Sequence, residues 1–118
     1  MRIERDAKQV TIYVNSTDQW RGRPLYAAIV QSCHDHGVAG ATVTRCLEGY
    51  GASRQVHTTR ILEMSENLPV RIDIIDLPER LDPLLETLSH MIGEGLMTIL
   101  DVHVLRFLPD PQLRPGEI

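Results

Sequence analysis

Aromatic side chains are scarce. Only 4% of the 118 residues are Phe, Trp or Tyr, with a single tryptophan and a single phenylalanine, so the hydrophobic 42% must build an aliphatic core. Cysteine is limited to Cys33 and Cys46, far apart and without a second cysteine at metal-ligand spacing. That excludes a disulfide scaffold and a cysteine metal cluster, and leaves two small side chains suited to burial. A basic excess is also missing. Twelve Lys and Arg against sixteen Asp and Glu give a net charge of −4, which provides no footprint for non-specific binding to nucleic acid. No apolar run approaches the roughly 20 residues that span a bilayer, and "MRIERDAKQV" lacks the apolar centre of a signal peptide. The expectation is a soluble cytoplasmic protein with no nucleic-acid partner. Its length fits one domain, large enough to bury a core unaided.

Strand and helix periods alternate along the chain. Val10, Ile12 and Val14 alternate with Thr11, Tyr13 and Asn15, the period of a strand with one buried face. Pro24 then introduces Leu25, Ala28, Ile29 and Cys33 at helical spacing, and Gly37 stops that helix near His36. "GATVTRCLEG" (40–49) is rich in β-branched residues and reads as a second strand. "LPVRIDIID" (68–76) reads as a third, with Val70, Ile72 and Ile74 on one face and Arg71 and Asp73 on the other. Between them, "TRILEMSEN" is a candidate strand extension. Leu81, Leu84, Leu85, Leu88, Met91 and Ile92 trace a second helix that either begins near Pro83 or kinks there, with Asp76 and Glu79 as a capping arrangement. "LMTILDVHVL" (96–105) supplies the last strand, with Leu100, Val102 and Val104 inward and Asp101 and His103 outward. The proline-rich "RFLPDPQLRPGEI" (106–118) is an extended tail.

This order predicts an α+β fold: a ferredoxin-like βαββαβ sandwich, a four-stranded antiparallel sheet with two helices on one face. The other face, expected to carry Tyr13, Ile75 and Ile99, is left bare and predicts self-association.

The segment "GYGASRQVHT" carries most of the binding chemistry. Gly49 and Gly51 can take positive φ and turn successive amides toward an anion. Ser53, Thr58 and Thr59 add hydroxyls, while Arg54 and Arg60 offer guanidinium forks for phosphate or carboxylate. The same glycines equally serve to turn the chain at a strand end. Tyr50 either stacks on a base or packs on its own sheet. His57, expected in a loop, suits a general base or a pH sensor, or is simply hydrogen-bonded. Gly93 and Gly95, after the second helix, allow close approach by a neighbouring subunit. In "WRGRPLY", Arg21 and Arg23 flank Gly22 before a helix start that favours anions. Trp20 there covers a ligand or a neighbour, or else forms a helix-start clamp in which the arginines pair with acids. No metal signature or Ser/His/Asp spacing is present.

Four motifs in one order, "WRGRPLY", "GATVTRCLEGYGAS", "VHTTRILEMSENLP" and "IGEGLMTILDV", resemble the family called domain of unknown function 190, over roughly residues 8–105. That family is similar in fold to the PII signal-transduction proteins, trimers that bind nucleotides in clefts between subunits. The resemblance implies a single PII-like domain over 1–118, with its core at about 8–105. It implies a non-catalytic regulatory homotrimer that needs no cofactor and binds a small anionic ligand, an adenine nucleotide, between subunits. The implied ligand contacts are Gly49, Tyr50, Gly51, Ser53, Arg54, His57, Thr58, Arg60, Gly93 and Gly95, with Trp20, Arg21 and Arg23 as secondary candidates. A membrane transporter such as a fluoride channel is the implied partner. One departure stands out: PII proteins read "GDGK" where this chain reads "GEGL", so Leu96 replaces a phosphate-contacting lysine. Two other readings remain, a small enzyme using His57 as acid or base and a structural adaptor without a ligand.

Overall fold

The computed structural model describes residues 1–49, 57–58 and 68–109. Four long strands form one antiparallel sheet: β1 (Arg2–Asn15), β4 (Ala41–Arg45), β7 (Pro69–Asp76) and β8 (Leu96–Phe107), in the spatial order β4-β7-β1-β8. Between them lie a short hairpin of β2 (Gln19–Trp20) and β3 (Arg23–Pro24), helix α1 (Leu25–Asp35), a two-residue ladder of β5 (Glu48–Gly49) and β6 (His57–Thr58), and helix α2 (Pro78–Ser89). β1 and β7 are central. Each helix connects strands that have another strand between them, so the two crossovers interlock. The fold is α+β and ferredoxin-like, with both helices on one face.

The core follows from two periods. Val10, Ile12 and Val14 of β1 and Val70, Ile72 and Ile74 of β7 are buried on the face that meets Leu25, Ala28, Ile29 and Cys33 of α1 and Leu81, Leu84 and Leu88 of α2. The register places Val10 opposite Ile74, Ile12 opposite Ile72 and Val14 opposite Val70, so like residues stack across the sheet. Burial pushes the Cys33 thiol up to about 11, which makes it an inert core group. Cys46, just beyond β4, is only half-buried.

α2 begins at Pro78 and runs through Pro83. The expected cap from Asp76 and Glu79 does not form. Leu77 is the N-cap and has no side-chain bond. Asp76 is fully buried; it accepts from the amides of Leu77 (2.7 Å) and Ala39 (2.8 Å) and from Arg80 Nη1 (3.5 Å). It pins the end of β7 to the segment after α1, because a buried carboxylate has to find donors wherever they lie.

β8 departs most from expectation. Val10 pairs with Ile99 and Ile12 with Met97, whereas Gln9 pairs with Leu100 and Ala7 with Val102. Directly opposed residues share a face, so Met97 and Ile99 belong to the helix side, with Asp101 and His103 further along it. Leu100, Val102 and Val104 belong to the other side. The inward and outward sets are therefore reversed, and Ile99 leaves the bare face. β8 is apolar on both sides, so its period alone does not fix its direction; the register with β1 does. The strand also includes Arg106 and Phe107, expected in the tail, because Arg2 and Ile3 pair with them.

The face away from the helices carries Tyr13 and Ile75, as expected, together with Leu96 and Leu100, which are 60% and 59% exposed. Among them sits a polar cluster. Thr11 Oγ1 donates to Asp73 (2.7 Å) and Arg71 Nε reaches the same carboxylate at 2.9 Å. Burial raises the Asp73 pKa, but the Thr11 and Arg71 hydrogen bonds outweigh it, so the net shift is downward.

Gly95 sits against this framework with no room for a side chain. A Cβ there would lie 2.9 Å from the Tyr13 carbonyl oxygen and 3.3 Å from Val14 Cγ1. Gly95→Ala is expected to lower stability by about 1–3 kcal/mol, the usual range for overpacking against a fixed backbone. Urea unfolding checks this; an unchanged midpoint would show that β1 yields there.

Candidate functional site

The glycine segments lie at one end of the sheet. Arg45 pairs with Val70, Val70 with Val14, and Tyr13 with Leu96. The exit of β4, the start of β7, the end of β1 and the start of β8 therefore form one row. At one edge of this row the chain leaves β4 through Cys46, whose amide bonds Pro69 O at 3.0 Å, and enters the β5–β6 ladder. At the other edge stand Gly93 and Gly95. Three inter-strand steps separate the two edges, about 14 Å at ordinary strand spacing.

Within the ladder Glu48 opposes Thr58 and Gly49 opposes His57. His57 is thus a strand residue, not a loop residue, and the predicted strand over 40–49 is two pieces, β4 and β5, broken at Cys46 and Leu47. Tyr50, Gly51, Ser53, Arg54, Thr59 and Arg60 lie outside the described residues, as does the whole of the "TRILEMSEN" extension. Gly93 has room where a side chain would stand, since a Cβ there would meet nothing among the described residues within 4 Å. Gly95 makes its close approach to its own β1. Leu96, next in sequence, is exposed.

Trp20, Arg21 and Arg23 line a different feature. Trp20 pairs with Arg23 across a two-residue turn in which Arg21 has φ +51° and Gly22 φ +78°. Positive φ at both central residues is the tight-hairpin geometry. The Arg21 guanidinium lies over the Trp20 ring, 4.5 Å from its centroid, within cation–π range. The expected anion site at the helix start is partly occupied by protein: Leu25 N donates to Asp18 O at 2.8 Å.

The hairpin, α1 and the end of α2 enclose a groove of about 460 Å³, into which Trp20, Arg21 and Arg23 project beside His36, Thr87 and His90. His36 joins the two helices. Its Nδ1 is 2.8 Å from Ser32 O and its Nε2 3.2 Å from Thr87 Oγ1. A carbonyl only accepts, so Nδ1 carries a proton. In the sequence His36 marks only the end of the first helix, and nothing local signals its contact with Thr87.

His103 bridges two acids on the ribbon that β1 and β8 form beyond the helices. Its Nδ1 lies 3.0 Å from Asp6 and its Nε2 3.0 Å from Glu4. Hydrogen bonds to Asp6 and then Glu4 raise its pKa. Among the described residues no group of three His, Cys, Asp or Glu side chains is arranged to hold a metal, and no helix is long and apolar enough to cross a membrane.

A four-stranded antiparallel sheet with two interlocked helical crossovers, and glycine segments at opposite edges of one end, defines a PII-like ferredoxin fold. The chain belongs to domain of unknown function 190, described as uncharacterized, whose family model matches residues 7–104. It is 30% identical to a UPF0166 protein of Aquifex aeolicus, over 83% of this chain and 92% of that one. It is 36% identical to a UPF0166 protein of Methanocaldococcus jannaschii, over 85% and 93%. Among solved structures it is similar to CPII of Thiomonas intermedia, bound to ADP and bicarbonate, with TM-score 0.62 and 17% identity over 86% of this chain and 91% of that one. It is also similar to a proposed PII-like signaling protein of Thermus thermophilus, with TM-score 0.60 and 19% identity over 86% and 90%. At these identities the structural likenesses show the fold.

The His103 cluster gives a pH prediction. A histidine whose folded pKa is raised contributes stability that is fully present below its unfolded value of about 6.5 and lost as pH rises through the folded value. His103→Gln is expected to flatten the stability profile from about pH 6.5 upward. Thermal unfolding across that window reads it; an unaltered slope in the variant would contradict the assignment.

Proposed function

We propose that this protein is a non-catalytic PII-like sensor that binds a small anionic ligand, an adenine nucleotide, between subunits of a homotrimer. The observation that carries this reading is the placement of the two glycine segments at the same end of the sheet but opposite edges. One chain holds them about three strand spacings apart, roughly 14 Å. A second copy, its β4 edge beside the first copy's β8 edge, brings a β5–β6 arm against a Gly93–Gly95 turn. A cyclic arrangement repeats that heterologous contact until it closes. The exposed Ile75, Leu96 and Leu100 supply apolar surface for such an assembly.

The ligand class rests on chemistry and likeness together. Arg54 and Arg60 flank the β6 segment in sequence and supply the forks for an anion. CPII, which shares the fold, is bound to ADP and bicarbonate. Leu96 stands exposed where the PII pattern has a lysine, so this cleft has one cation fewer for a terminal phosphate. The reading therefore favours ADP or AMP over ATP.

The test is thermal unfolding of the purified oligomer with ATP, ADP and AMP, with mass followed by light scattering. A ligand present at 100 times its Kd stabilises the native state by about 2.7 kcal/mol. The expected result is a saturable rise in midpoint with ADP or AMP, larger than with ATP. Arg54→Ala and Gly93→Val are expected to remove the rise while the mass stays that of a trimer. Because Gly93 has open space in its own chain, its loss of binding reads the cleft and not the fold. No shift with any of the three nucleotides would overturn the proposal.

A further inference from the structure

The groove between the β2–β3 hairpin and the two helices is lined, among the described residues, by side chains of the hairpin, α1 and the end of α2, and by neither Gly93 nor Gly95. Its volume of about 460 Å³ falls within the range of small-molecule sites. Ala28 and Met91 give it a buried apolar floor, and the Trp20 ring adds a flat wall.

Two features set this groove apart from an ordinary crease between helices. Arg21 and Arg23 both line it, and neither has an ion-pair partner among the described residues. Of the expected helix-start clamp, Trp20 packs against the core, but among the described residues the arginines do not pair with acids. Arg21 also occupies the first central position of a tight hairpin at φ +51°, where a side chain bearing a Cβ is disfavoured and glycine or asparagine fits better. Backbone strain of that kind is concentrated at functional sites. Stacking on Trp20 holds the guanidinium over the ring and fixes the orientation of its planar fork.

We propose that this groove is a second binding site, distinct from the nucleotide cleft, for a small organic carboxylate. The carboxylate is held by Arg21 and Arg23 and its carbon skeleton lies against Trp20, Ala28 and Met91. A carboxylate suits the groove better than a phosphate dianion does. Asp35 also lines the groove, and the Gln31 hydrogen bond, followed by that of His34, lowers its pKa and keeps it ionised. Two guanidiniums against one carboxylate leave a net charge of +1, enough for one negative charge. The apolar floor has no use for an inorganic ion.

Trp20 is the only tryptophan in the chain, so its fluorescence reports on the groove directly. The experiment titrates the full-length oligomer with benzoate, succinate, citrate and inorganic phosphate at constant ionic strength. The expected result is a saturable change in Trp20 emission with at least one carboxylate, at least tenfold tighter than with phosphate. Arg21→Gly relieves the positive-φ strain and removes the fork. It is expected to weaken that carboxylate at least tenfold at an unchanged or higher melting temperature, which a merely structural arginine would not do. Arg23→Gln is expected to weaken it similarly. An unsaturable response to all four probes, tighter binding of phosphate, or equal carboxylate affinity in both variants would overturn the proposal. ADP binding is measured on the same samples and is expected to be unaffected by either substitution, so failure here leaves the cleft proposal standing.

Discussion

Everything in this molecule is referred to β1, which pairs with β7 on one side and β8 on the other. Its even-numbered residues Val10, Ile12 and Val14 enter the core, and its odd-numbered residues face away from the helices. Because a strand's side chains alternate strictly, that one choice fixes the direction of every residue on both neighbours. It puts Met97 against the helices, leaves Leu96 and Leu100 on the open face, and aligns the start of β8 with the exit of β4. The edge positions of the two glycine segments are a consequence of register, and the proposed shared cleft rests on those positions.

The constraint also sets what can change independently. At the close contact of Gly95 with Tyr13 O, backbone meets backbone, and the turn is held rigidly to the central strand. At Gly93, two residues earlier, a side chain would meet nothing among the described residues within 4 Å. A rigid support with an open residue beside it suits a surface that meets a neighbour. The hairpin carrying Trp20 is built on other terms: its shape comes from a two-residue turn and a cation–π stack, so its arginines are positioned locally rather than by the sheet.

Much of the fold was legible because its signals are local. Leu25, Ala28, Ile29 and Cys33 announce α1 through spacing, and Val70, Ile72 and Ile74 announce β7 through alternation. β8 was legible as a strand but not in its direction, since Ile99 and Leu100 are both apolar and only pairing decides between them. The start of β1 was hidden because "RIERDAK" lacks alternation, and its charged residues find partners across the ladder, Asp6 with His103 and Lys8 with Asp101. Asp76 resembled a cap in sequence, yet its donors include Ala39, far away along the chain. For the candidate site, the glycine segments and the "WRGRPLY" arginines could be named from sequence. The helix-side groove could not, because His36, Thr87 and Met91 meet only after both crossovers are made.

The most direct test of the account is complementation between two defective chains. Arg54→Ala damages the arm edge of each subunit and Gly93→Val damages the turn edge, so each variant alone is expected to bind no ADP. If the cleft is shared between neighbours, oligomers assembled from an equal mixture place an intact arm beside an intact turn at roughly a quarter of their interfaces. Calorimetry on the mixed assembly is predicted to recover about that fraction of the wild-type ADP sites. Zero recovery from mixed oligomers of confirmed composition would mean that both residues act within one chain, and the shared-cleft account would be wrong.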